Sequence, residues 1–244
     1  QSISADYSGL VVDVKDAFAG ITTQTGKITL TDTSVSVADI NAVAPVTSGV
    51  VTATVTSGAA SVLKLLTTDS NDAITMTVNA EASGATAAAD LVSLNGNTNK
   101  AITMTAVTSV SGSYADLLNV YVTNAGQYNG EGDEAVTITG TVTAAQADAI
   151  ADVTSGVVTA TIDADTAAAL NVALVDSGSQ VNAYNLTING TTATASEITN
   201  LDNKTSGSIT LSGTSMTITV ASGETLDLSG VTNSLSGTLT INDS

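Results

Sequence analysis

Carboxylates are the most numerous ionisable side chains in this chain and the ones best equipped for acid–base or metal chemistry. Eighteen Asp and five Glu stand beside five Lys, and Arg, His and Cys are absent. The commonest general base, the soft nucleophile and the bidentate anion clamp are therefore missing. Two carboxylates alone can still cleave a glycosidic bond, one as acid and one as base or nucleophile. Asp163 and Asp165 fit that description by spacing, since residues two apart at a strand end project to the same side. No aromatic platform or cation accompanies them, so they read as a solvated strand end, and no catalytic residue is assigned.

Metal ligation is the second use of a carboxylate. The segment Asn129-Gly130-Glu131-Gly132-Asp133-Glu134 puts three acids into a Gly-rich loop, and Asp69-Ser70-Asn71-Asp72 is a smaller version. Calcium takes about six to eight oxygens, which a flexible acidic loop with exposed carbonyls can supply. Glu131, Asp133 and Glu134 are the candidate ligands, with calcium the candidate ion, although neither loop has EF-hand spacing. A third acidic set recurs in step with the chain. Asp39, Asp148 and Glu197 follow Thr29, Thr137 and Thr187 by 10, 11 and 10 residues, and Asp90 and Asp116 follow Thr75 and Thr103 by 15 and 13. Carboxylates placed in the first turn of short helices meet unpaired amides and the positive dipole end, a structural role that competes with a ladder of metal ligands.

The elements that must carry these groups are set by an apolar-Thr-apolar-Thr pattern. It stands at Ile28–Thr31, Val51–Thr54, Ile74–Thr77, Ile102–Thr105, Val136–Thr139 and Val158–Thr161, and more weakly at Leu186–Asn189 and Ile209–Ser212. Successive copies are 22 to 34 residues apart, from the 22 between Thr137 and Thr159 to the 34 between Thr103 and Thr137. Alternation with period two makes each copy a strand with its apolar residues on one face. Ala- and Leu-rich intervals separate the strands, at residues 37–46, 59–66, 86–94, 113–121, 144–153, 166–175 and 194–202. Their apolar residues sit three and four apart, as in Leu117, Val120 and Tyr121, which predicts one to three turns of inward-facing helix. Thr47-Ser48-Gly49, Thr154-Ser155-Gly156 and Thr205-Ser206-Gly207 each lead into the next strand, with Gly expected to supply a positive φ.

A fixed period with insertions predicts a mainly β solenoid: parallel β-coils joined by short Ala/Leu-rich helices, becoming all-β at the C-terminal end. The expected organisation is a single elongated domain over 1–244, with a degenerate first coil at 1–27, strand–helix repeats at 28–212 and all-β terminal coils at 213–244. The core must be built of small aliphatic residues, because the chain is 43% hydrophobic but only 2% aromatic.

Both Thr of each strand are expected to face outward. That predicts two files formed by Thr29 and Thr31, Thr52 and Thr54, Thr75 and Thr77, Thr103 and Thr105, Thr137 and Thr139, and Thr159 and Thr161. Neighbours in a file would lie about 4.7 to 4.9 Å apart. Such a Thr-x-Thr array is similar to the ice-binding face of several antifreeze proteins, and equally suits an exposed strand of high β-propensity.

The Thr strands, the segments Val37-Ala38-Asp39-Ile40, Ala88-Ala89-Asp90-Leu91 and Tyr114-Ala115-Asp116-Leu117, and the Thr-Ser-Gly returns resemble the repeats of very large secreted bacterial surface proteins. Cyanobacterial examples are associated with repeats-in-toxin adhesins and surface layers. The resemblance covers roughly residues 28 to 210 and implies an extracellular or cell-surface location. The calcium-binding nonapeptide of such modules does not occur here, so its mode of calcium binding does not carry over.

A formal charge of −18 excludes nucleic acid and anionic membrane as partners and favours divalent cations. No apolar run reaches the roughly 18 residues needed to span a bilayer. The first residue is Gln rather than Met, which reads as a processed protein or an excised segment. The sequons at Asn185, Asn189 and Asn203 carry little weight in a chain so rich in Asn and Thr. Altogether the expectation is a non-enzymatic, rod-like structural module or filament subunit of a surface layer, fibre or adhesin. Its expected partners are further copies or flanking coils, head to tail. Ice binding and a carbohydrate-active protein are the alternatives.

Overall fold

The computed structural model describes residues 2–21, 23–175 and 181–243. The chain forms two compact units, one of Gln1–Val110 with Asn119–Glu131, the other of Ser111–Leu118 with Gly132–Ser244.

In the first unit, strands Tyr7–Gly9, Ile28–Leu30, Val51–Thr54 and Ala73–Thr75 lie side by side in that order, all parallel. Ile102–Thr103 pairs in the same sense with Tyr128–Asn129. The period-two pattern buries Ile28, Ile74, Met76 and Ile102 completely. Between strands the chain turns through helices Val11–Ala17, Val37–Val43, Ala60–Leu63 and Ala88–Asn95. Residues spaced three or four apart, Ile40 with Val43 and Leu91 with Leu94, point inward and are at most 1% exposed. Ser36 starts the second helix, its Oγ accepting the Asp39 amide at 3.1 Å. Pro45 then confines the continuation to a single 3-10 turn, Ala44–Val46.

In the second unit, strands Ala135–Val142, Val158–Ile162, Ala183–Asn189, Ile209–Ser212 and Val231–Asn233 form consecutive parallel neighbours. A further sheet runs Thr192–Thr194, Met216–Val220, Leu239–Asp243. Its helices are Tyr114–Leu118, Ala144–Ala151, Ala167–Ala173 and Ala195–Lys204. Two open on complete capping boxes, Thr143 with Gln146 and Thr194 with Glu197. After Lys204 only strands follow among the described residues.

The expectation of a mainly β solenoid is corrected by this architecture: the chain is mixed α/β, with eight α-helices among the described residues and several short parallel sheets. The Ala/Leu intervals make α-helix of up to ten residues, whereas many strands are only two to four residues long. Helix therefore takes up chain that would have to be extended in a mainly β fold.

The returns hold successive strands together by a device of their own. Thr47 Oγ1 donates to Gly26 O at 2.7 Å and accepts from Gly49 N at 2.9 Å. Thr154 does the same with Glu134 O and Gly156 N, at 2.7 and 3.0 Å. Thr205 donates to Tyr184 O at 2.7 Å and accepts from Tyr184 N and Gly207 N at 2.8 and 2.9 Å. The glycine two residues later is required by space, not by a positive φ, which none of the three has. A Cβ on Gly156 would stand 2.0 Å from Glu134 O, and one on Gly207 2.2 Å from Tyr184 O. Backbone passes against backbone there, and only a hydrogen fits.

Candidate functional site

Every one of the twelve candidate Thr lies at the surface, eight exposed and Thr29, Thr52, Thr103 and Thr159 half-buried. The register, however, does not assemble them into two continuous files. In the first unit Ser8, Thr29 and Thr52 are neighbours, but Thr52 then faces Ala73, and Thr54 faces Thr75. Pairing there is offset by 21 residues where the motif repeats at 23, so the row steps sideways by two. Thr77 next pairs with Thr103, and Thr103 with Asn129, which leaves Thr105 outside the row.

The second unit shows the same behaviour. Thr137 pairs with Thr159, but the register shifts between Thr137 and Thr141, so Thr161 faces Thr141 and Thr139 sits in the irregularity. Thr159 and Thr161 then meet Ala183 and Asn185. The longest all-Thr rows lie further on, at Thr187, Thr210 and Thr232 and at Thr192, Thr217 and Thr240. The strong motif ends at Thr161 in sequence and so hides them. Their signal was the plain alternation of Met216–Val220 and Leu239–Asp243.

The acidic candidates are mostly engaged by the backbone. Glu134 is completely buried, and its Oε2 accepts the Gly132 amide at 2.8 Å. Asp133 is exposed and Glu131 half-buried. Asp72, 8% exposed, accepts Val51 N at 2.7 Å and Asp69 N at 3.0 Å, and Asp69 accepts Asn71 N at 2.7 Å. Asp165 closes onto the amide of Thr166 at 2.7 Å, ahead of the helix Ala167–Ala173. Among the described residues no three carboxylates form a group able to hold a metal ion.

Carboxylates on the helices join one repeat to the next, although Asp148 lies mid-helix in Ala144–Ala151 and not, as expected, in its first turn. Asp39 pairs with Lys15 at 2.9 Å, and Asp90 with Lys64 at 2.8 Å. Asp148 accepts Val175 N at 3.0 Å. Asp116 and Glu197 cap their own helices through Ser113 and the Thr194 amide. The hydrogen bond from Lys15, helped by Ser36, holds the Asp39 carboxyl below its ordinary range. Asp227 is lowered by the Ser229 amide. Tyr128 moves the other way: burial, then the nearby charge of Glu131, raises its hydroxyl, which donates to Leu91 O at 3.1 Å. None of these shifts places an acid or base near neutral pH beside a cleft, which is what general catalysis needs.

A groove of the first unit, about 580 Å³, is lined by Thr25, Lys27, Ser48, Asn71 and Asp72 among others. Its buried carboxylate is the one already bonded to Val51 and Asp69.

No family model matches the chain, and neither does any curated protein or solved structure. No helix among the described residues is long and apolar enough to cross a membrane.

Proposed function

We propose that the chain is a non-enzymatic extracellular structural protein, a module or filament subunit of a cell-surface layer, fibre or adhesin. The observation that carries this reading is where the polar side chains go. Thr47, Thr154 and Thr205 in the returns, Lys15 and Asp148 on the helices and Lys64 at the end of one all bond to the neighbouring repeat. Polar groups spent on tying repeat to repeat serve the fold and not a reaction, which suits a structural role. Ice binding is the weaker alternative, since Ala73, Asn129, Ala183 and Asn185 interrupt the Thr rows that a flat hydroxyl lattice would need.

At −18, copies repel one another in dilute salt, so association should strengthen with screening and with divalent cations. Electron microscopy of the purified chain over a concentration series, in matched sodium, magnesium and calcium, tests the proposal. Filaments or sheets that lengthen with concentration are expected, with magnesium and calcium acting alike. Single particles at every concentration and in every salt would remove the filament subunit.

A further inference from the structure

The outermost strands of the two units each have one strand neighbour among the described residues. In the second unit, Val231–Asn233 pairs with Ile209–Ser212 and with no other strand among the described residues, and Leu239–Asp243 pairs only with Met216–Val220. Register partners differ in how far they are covered. Ile218 is 0% exposed and its partner Ile241 is 48% exposed. Ile209 and Met216 are buried, whereas their partners Val231 and Leu239 are half-covered.

In the first unit, Tyr7–Gly9 pairs only with Ile28–Leu30. Ile28 is 0% exposed while its partner Tyr7 is half-covered. Leu10 and Val12 follow that strand directly and are 46% and 56% exposed. Both outer strands are three residues long, with an apolar first residue facing in and an exposed hydroxyl second, Thr232 in one and Ser8 in the other.

We propose that Val231–Asn233 of one copy pairs in parallel with Tyr7–Gly9 of a second copy. Val231 then lies beside Tyr7, Thr232 beside Ser8 and Asn233 beside Gly9. This rests on the structural reading above and names the contact through which copies join. The register continues what each unit already does: the apolar row Ile209, Val231 runs into Tyr7, Ile28, and the hydroxyl row Thr210, Thr232 into Ser8, Thr29. A second copy is the occupant because its first strand repeats the length and the alternation of the strand it would follow. Leu10 and Val12 also bring apolar surface to an end where Leu239 and Ile241 lack it. The contact is head to tail, so each copy that joins brings a free edge for the next. Asp227 and Asp243 on one side and Asp6 and Asp13 on the other oppose it at low salt.

The chain contains no cysteine, which makes the register directly testable. Parallel neighbours lie about 4.8 Å apart, within the separation a disulfide bridges. Ser8→Cys and Thr232→Cys both alter exposed side chains, so the fold is expected to survive, checked by circular dichroism. Under mild oxidation a mixture of the two single variants should give cross-linked dimer several-fold above either variant alone, more at higher salt. The double variant should give a ladder of multimers on a non-reducing gel. A mixture no better than the single variants, or a double variant that only closes on itself within one chain, overturns the pairing. If filaments are seen by microscopy and the mixture still fails to cross-link, copies join elsewhere and only this contact is wrong. If neither filaments nor cross-links form, the filament reading falls with it.

Discussion

Threonine does two different jobs here, one in the returns and one on the strand faces. In the returns Thr205 is buried, and Thr47 and Thr154 are half-buried; each hydroxyl is tied on both sides, to a carbonyl of the preceding repeat and to the amide of the glycine that follows. On the strand faces Thr54, Thr77, Thr139 and Thr161 are exposed, and the register moves sideways beneath them. The conspicuous motif is thus the tolerant one, and the inconspicuous Thr-Ser-Gly return is where geometry is demanding. Repetition in sequence marks what every strand shares. It does not mark where the backbone leaves no room.

The sharpest way to break that contrast is at the glycine of a return. Gly156→Ala drives a methyl to within 2.0 Å of Glu134 O, and the obstacle is backbone, which no rotamer change relieves. A loss of about 3 kcal/mol or more is expected, at or above the upper end for overpacked sites. Urea unfolding followed by circular dichroism measures it. A midpoint unchanged from the parent chain would mean that the two backbones are not in contact there.

Next in size is the hydroxyl itself. Thr205→Val keeps the shape but removes the acceptor of two amides, Tyr184 N and Gly207 N, and the donor to Tyr184 O. Stranding buried backbone groups costs about 1 to 3 kcal/mol, so about 2 kcal/mol is expected, read from the same unfolding curves. Hydrogen exchange should quicken at Tyr184 and Gly207 before it does elsewhere. Uniform loss of protection would assign Thr205 a general packing role instead.

Much of this was legible in the residues and some of it was not, for definite reasons. The interval helices fall where apolar residues recur at three and four, because Ile40 with Val43 and Leu91 with Leu94 each bury one stripe. The alternation pattern does not show how short the strands are beside those helices, which is why a mainly β reading of it fails. Register was not legible at all. A strand slipped by two keeps every side chain on its own face, so Thr54 beside Thr75 satisfies the pattern as well as Thr52 beside Thr75 would. The arrangement of the acidic loop was not legible for a related reason. Composition shows three carboxylates close in sequence, but not that Glu134 turns inward to the Gly132 amide while Asp133 stays in water.

The smallest expected effect tests the other half of the contrast. Thr139 is exposed and lies where the pairing of Ala135–Val142 with Val158–Ile162 shifts register, so its side chain is not needed to align a row. Thr139→Tyr should change stability by no more than about 0.5 kcal/mol, the usual range for surface substitutions. If the faces bound ice, the parent chain would show thermal hysteresis and this bulky side chain would abolish it by spoiling flatness. Neither hysteresis nor crystal shaping is expected from parent or variant, because the rows break at Ala73 and Asn129 in one unit and at Ala183 and Asn185 in the other. A variant that folds normally but no longer forms filaments would point elsewhere again. The outward Thr would then be a surface along which neighbouring filaments pack, and the tolerance argued for it would hold for the single chain only.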